Sequence, residues 1–237
     1  IDLYDAWQKV LDTKELNRRF YRDIANWYFW AIGEVEYPED VHKDRDIRNS
    51  LSVIRLLTRL IFVWFLKAKK IDGEKEFIPD AIFNEIHLKA ILKNFMEKKG
   101  AGSSFYKAIL QNLFFATLNT EIDADRRFRT SNGVEANDKD YLVHTLYRYE
   151  NEFKEPKKVL EYFNNIPFLN GGLFECLDQR KEEADKGKGE IRIDCFTDHP
   201  KTQKKLVVPD FLFFGKEEVD LSEIYGDQKR KSERVEG

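Results

Sequence analysis

The sequence predicts a mainly α-helical fold: a multi-helix bundle around one buried central helix of about residues 47–71, with a small β or extended element near the C-terminus. Three observations carry this. The stretch Leu51 to Leu66 is apolar at helical spacing on nearly every side, through Ile47, Leu51, Ile54, Ile61 and Phe65 and then Leu56, Leu57, Leu60, Val63 and Trp64. A helix apolar all round belongs inside. The 237 residues hold only 12 Gly and 6 Pro, too few for a sandwich or barrel made of many tight turns. Further helical periodicities run on both sides of the central stretch.

In order, Ile1 to Leu11 is a short amphipathic helix candidate, and Asp12 followed by Glu15 gives a capping-box start to a helix over about 13–32. Leu16, Phe20, Ile24, Trp27 and Ala31 form its apolar face, and Gly33 ends it. The run Trp27-Tyr28-Phe29-Trp30 suits a core better than a stacking platform for bases. The central helix follows and stops at Asp72-Gly73. Its Arg48, Arg55 and Arg59 lie seven and four residues apart and so form one basic line. Unpaired buried guanidinium groups cost several kcal/mol, so the line needs carboxylates within the fold or an anionic partner across an interface. A membrane span needs about 20 predominantly apolar residues. Here Arg55 and Arg59 interrupt the run and Lys67, Lys69 and Lys70 close it, so no membrane partner is expected.

A helical hairpin is expected next, over about 81–97 and then from a Ser103 or Ser104 cap through Phe105 to Leu118. Residues 121–140 are polar and read as an exposed loop containing Arg126, Arg127 and Arg129. Two helices should follow, over about 139–153 and from Pro156 through Phe163. Ile166 to Glu175 surrounds Asn170-Gly171-Gly172 with apolar residues and reads as a structural turn. Positive φ at either glycine would make a β-branched substitution cost on the order of 1 to 3 kcal/mol. We divide the chain into a helical domain over 1–177, a charged loop over 178–190, and an extended or β segment over 191–237. In the last of these Ile191 to Asp194 alternates, Leu206 to Phe214 is apolar around Pro209, and the charged tail from Gly226 should fray.

Hydrophobic residues make up 42% and charged residues 35%, enough for a large core and a well-solvated surface. The net charge of −3 excludes a domain that grips nucleic acid through a general basic excess, so any DNA contact is local or shared. The best exposed candidates for phosphate contact are Arg126, Arg127 and Arg129. Two cysteines without Cys-x-x-Cys spacing point to a reducing cytoplasm. The chain begins at Ile1 and ends without a recognisable stop, so it is expected to be a piece of a longer protein.

No active site declares itself. Asp210 with Asp227 and Lys229 matches the short acid, acid-x-lysine pattern that holds Mg²⁺ in nucleases, but Asp227 lies in the polar tail rather than on a paired strand. Cys176, Cys195 and His199 make an incomplete zinc set. No nucleophile signature surrounds any of the four histidines.

Three segments in succession are more informative: Leu56 to Leu66 with its lysine tail, Phe105-Tyr106 to Asn119, and Ile166-Pro167-Phe168-Leu169-Asn170-Gly171-Gly172-Leu173-Phe174-Glu175. Together they resemble the helical region of type IIG restriction-modification proteins, single-chain adenine-specific DNA methyltransferases that also carry an endonuclease. The resemblance implies a position between a nuclease and a methyltransferase, with double-stranded DNA as the partner of the parent and S-adenosylmethionine and Mg²⁺ as its cofactors. The glycine-rich cofactor loop and the Asn-Pro-Pro-Tyr-type motif that methylation requires do not occur here, nor does a nuclease triad. The chain is therefore expected to be the connector, with no cofactor of its own. The alternatives are a Mg²⁺-dependent nuclease using Asp210, Asp227 and Lys229, or a helical protein-interaction scaffold.

Overall fold

The computed structural model describes residues 13–71, 75–100, 102–121, 125–130, 140–169, 171–180 and 190–237. The expected first helix, the Asp12 cap, Asp72-Gly73, Asn170 and the middle of the charged loop lie outside these. Within them the fold is mainly α. Helix α1 is Thr13–Glu34. Its aromatic run faces the C-terminal part of the chain: Trp27 Nε1 donates to the Leu212 carbonyl at 2.7 Å and Trp30 Nε1 to Glu217 at 3.1 Å. Trp27 and Trp30 lie against Phe213 and Phe211, so these rings are core packing.

Helix α2, Arg45–Lys67, starts at Asp44, whose carboxylate accepts from the N–H groups of Asp46 and Ile47. It is not the buried centre that its composition suggested. Arg48, Asn49, Ser52, Val53, Leu56, Arg59, Val63 and Leu66 are buried, but Ile47, Leu51, Ile54, Ile61, Phe62, Trp64 and Phe65 are 41–66% exposed. The two faces are apolar for different reasons, and the described chain covers only one. β1, Lys70–Ile71, then pairs antiparallel with β2, Lys75–Glu76.

The helix expected over 81–97 is broken. A 3₁₀ turn, Asp80–Phe83, precedes α3, Glu85–Ile91, which Asn84 caps by accepting from His87 N–H. α3 stops because Leu92 extends to bridge Phe153, with Lys93 N–H donating to the Glu152 carbonyl at 2.9 Å and Lys154 N–H to Ile91 at 2.8 Å.

The buried centre is α4, a π-type helix over Phe105–Leu118 in which every residue except Lys107 is buried. Lys107 is its only charged residue, and its internal polar groups are satisfied. Asn112 and Arg148 exchange two hydrogen bonds, the Asn112 amide donating to the Arg148 carbonyl at 2.9 Å and accepting from its N–H at 2.8 Å. This exchange shows why the expected helix over 139–153 does not form: α4 takes up the Arg148 backbone and Tyr147 bridges Phe128. Leu142 and Tyr149 adopt positive φ, and only a 3₁₀ turn, Glu150–Glu152, remains. The Ser104 side chain does not cap α4 either. That work falls to Asp210, whose carboxylate accepts from Phe105 N–H at 2.8 Å and Met96 N–H at 3.0 Å.

Pro156 opens α5, Pro156–Asn164, as the sequence indicates. The following turn corrects an expectation. Gly171 is extended (φ −170°), neither Gly171 nor Gly172 has positive φ, and a Cβ at either would meet nothing within 4 Å. The corner is made by the 3₁₀ turn Gly172–Phe174 and by burial of Phe174, not by glycine conformation.

β3, Gln179–Arg180, pairs with β4, Glu190–Ile191. Single-turn helices α6, Pro200–Gln203, α7, Phe211–Phe214, and α8, Ser222–Tyr225, carry the chain back along α1. Val207 bridges Glu36 on the way. The charged tail is paired rather than frayed: β6, Glu233–Glu236, forms four antiparallel residue pairs with β5, Lys216–Val219, and Val235 is buried.

Candidate functional site

The basic line on α2 is drawn largely into the fold. Arg59 donates to Asp194 at 2.7 Å and to the carbonyls of Leu173 and Glu175 at 2.9 and 3.1 Å, with its guanidinium 4.8 Å from the centre of the Phe115 ring. Burial works against its charge, but Asp194 more than offsets this and raises its pKa. Arg48 pairs with Glu36 and donates to the Tyr37 and Lys43 carbonyls. Arg55 reaches Ser52 Oγ at 3.0 Å.

The loop arginines are not the exposed phosphate contacts that the polar sequence suggested. Arg126 donates to the carbonyls of Thr117, Thr120, Phe163, Asn164 and Ile166, and so ties the ends of α4 and α5 together. Arg127 pairs with Asp125 and Asp140. Arg129 is buried against Asp198. Partners far along the chain claim Arg126 and Arg129, whereas Arg127 stays half-buried and is neutralised by acids of its own loop.

Asp210 and Asp227 each have a structural task. Burial pushes Asp210 up to about 6, opposed by the N–H groups of Met96, Phe105 and Ser104. Asp227 is exposed and accepts from Lys229 N–H in its own turn. The incomplete zinc set of Cys176, Cys195 and His199 is not assembled: both cysteines are free and buried, Cys195 Sγ donates to the Thr202 carbonyl, and His199 lies beside Thr202 Oγ1.

Instead, among the described residues, the ligand atoms of His144, Cys176 and Asp178 lie within 4.8 Å of one another. Their chemistry does not suit a metal. Asp178 Oδ1 accepts the N–H groups of Asp194 and Cys195, and Oδ2 accepts Phe196 N–H and Arg192, so four donors occupy its lone pairs. Burial holds His144 down at about 4, assisted by Arg148 and Arg192, which would repel a dication as well. Burial also raises the Cys176 thiol well above its ordinary range and so opposes the thiolate a metal needs. This is a buried organising hub. Asp178, Asp194, Gln111, Asn112 and Arg148 were not found by motif or spacing; the only sequence signal was that Arg59 required a carboxylate.

What remains unaccounted for is the outer face of α2. Ile47, Leu51, Ile54, Thr58, Ile61 and Phe65 are all exposed and follow one another at intervals of four and three residues, the a/d repeat of a helix-pairing seam. Thr58 fits, because its hydroxyl is satisfied by the Ile54 carbonyl at 2.8 Å. Trp64, 66% exposed, and Phe62 flank the seam. With side-chain areas of about 200 Å² each, the seven exposed apolar residues present roughly 700 Å², beyond the largest patch of a typical monomer. By length and composition α2 is the one helix among the described residues able to cross a membrane. Its inner face, however, is anchored in the fold by Leu56, Val63 and the Arg59–Asp194 pair.

No protein-family model matches this sequence, and no curated protein or solved structure matches it either.

Proposed function

We propose that the chain is a non-catalytic helical connector of a cytoplasmic restriction-modification enzyme. Its work is to hold neighbouring nuclease and methyltransferase units in register with each other and with duplex DNA. Methyl transfer from S-adenosylmethionine and Mg²⁺-dependent cleavage belong to those units. The observation that carries this reading is α2, a helix apolar on two faces of which the described residues cover one. A helix with two apolar faces joins two layers. The polar groups Asp210, Arg59, Arg126 and Asp178 organise the backbone through internal hydrogen bonds, as a structural unit requires.

The test supplies the chain with duplex DNA, S-adenosylmethionine and Mg²⁺, and measures methylation and strand cleavage. Neither should occur. Turnover abolished by Asp210→Ala in a variant that still folds would overturn the reading in favour of the nuclease. A helical interaction scaffold unrelated to DNA would use the same α2 face. An enzyme containing this unit separates the two, since Leu51→Glu should impair its DNA modification only if the unit is a connector.

A further inference from the structure

We propose that the outer face of α2 pairs with the same face of a second copy of this chain, the two helices running antiparallel about a two-fold axis. This rests on reading that face as an interface, and it names the occupant.

The seam supports self-pairing in one register. In an antiparallel pair each d position of one helix faces an a position of the other. Ile47 of one copy then meets Phe65 of the other, Leu51 meets Ile61, and Ile54 meets Thr58, with each layer repeated across the axis. The bulkiest layers lie at the ends and the slimmest beside the axis, where the helices come closest. The seam spans 19 residues, about 27 Å at 1.5 Å per residue. Arg55 would otherwise approach its own mate near the axis, but it is turned back onto Ser52.

Charge selects the antiparallel arrangement. At the N-terminal end the exposed charges outside internal pairs are Glu39, Asp44 and Asp46 against Lys43, whereas Lys69 and Lys70 close the other end; Glu36 is taken by Arg45 and Arg48, Asp40 by Arg192 N–H and Lys67 by Asp80. Antiparallel pairing sets the acidic end of each helix beside the lysines of the other and opposes the helix dipoles. Parallel pairing would stack lysines on lysines. The exposed apolar area, roughly 700 Å² per copy, approaches the ~800 Å² per partner of a stable specific interface.

Sedimentation equilibrium at micromolar concentration tests the proposal. The wild-type chain should have twice its 28.2 kDa mass. The double variant Leu51→Glu/Ile61→Glu should be monomeric, with a dissociation constant raised at least 100-fold. Both residues are exposed in the isolated chain, so its circular dichroism should not change; if it does, Leu51→Ala/Ile61→Ala replaces it. Orientation is read by mixing tagged and untagged variants that each carry one added cysteine under oxidation, native Cys176 and Cys195 being buried. A disulfide should join Leu51→Cys to Ile61→Cys. Cross-linking of Leu51→Cys to itself would mean parallel pairing and overturn the proposal. A monomeric wild type at 100 µM would overturn it too. In that case, binding of a hydrophobic dye by the wild type and not by the double variant would leave the interface reading standing with another partner, and no dye binding by either would sink that reading as well.

Discussion

Replacing Arg59 is the sharpest probe of whether the basic line of α2 is internal. The side chain is 4% exposed on a residue basis and its partner Asp194 only 2%. Arg59→Ala removes the bond to Asp194 at 2.7 Å and leaves that carboxylate buried with Leu177 N–H at 2.8 Å as its remaining donor. It also strips the Leu173 and Glu175 carbonyls of their guanidinium donor. Breaking a buried pair on one side costs about 3–5 kcal/mol, because the surviving charge is left uncompensated. At about 2–4 °C per kcal/mol for a chain of this size, the melting temperature should fall by roughly 6–20 °C. Arg59→Lys keeps the charge but cannot span Asp194 and both carbonyls, and should cost about 1–3 kcal/mol. Urea unfolding checks these values, and Arg59→Met with Asp194→Asn completes a cycle whose double variant should lose less than the sum of the singles. A loss below about 1 kcal/mol for Arg59→Ala would refute the reasoning and return the guanidinium to solvent or to an anionic partner.

Asp210 should make stability fall as pH rises. Burial lifts its folded pKa from 3.8 to about 6, so between about pH 4 and 6 the folded chain keeps a proton that the unfolded chain has released. This group's contribution should therefore drop by about 3 kcal/mol across that window, an effect absent from Asp210→Asn; parallel unfolding curves for the two proteins would contradict it. Gly171→Val and Gly172→Val should shift stability by less than about 1 kcal/mol, since neither backbone is strained and each Cβ has open space; thermal melts decide this. Arg126→Ala should cost about 1–3 kcal/mol by freeing the carbonyls at the ends of α4 and α5, and hydrogen exchange should increase locally at those ends.

The elements most legible in the sequence were those with local punctuation. Pro156 started α5, and the aromatic run of α1 went to the core. The misread 139–153 helix, the cap of α4 and the burial of Arg126 and Arg129 share one physical cause: decisive partners lie far along the chain. The 139–153 pattern is helical in isolation, but Asn112, thirty-six residues away, takes both backbone groups of Arg148. The cap of α4 comes from Asp210, 105 residues from Phe105. The loop arginines looked solvated because Asp198 and the α5 carbonyls are absent from their neighbourhood in sequence.

Helix α2 shows the same limit from the opposite side. Apolar periodicity tells that a face will be covered; it does not tell by what. The inner stripe of Leu56, Val63 and Leu66 and the outer stripe of Leu51, Ile54 and Ile61 look alike in sequence, so the helix read as a bundle centre. Charge separates them. The guanidinium of Arg59 carries its own internal carboxylate and carbonyls to the inner stripe, which makes that side self-sufficient. The outer stripe contains no ionic residue from Ile47 to Phe65 and closes on lysines at one end and carboxylates at the other. A face that is apolar along its length and charged with opposite signs at its ends is specified for orientation as well as for burial. That is why α2 is better understood as a joint between units than as the core of one, and why α4, with a single charge in 14 residues and its amides bonded internally, holds the centre.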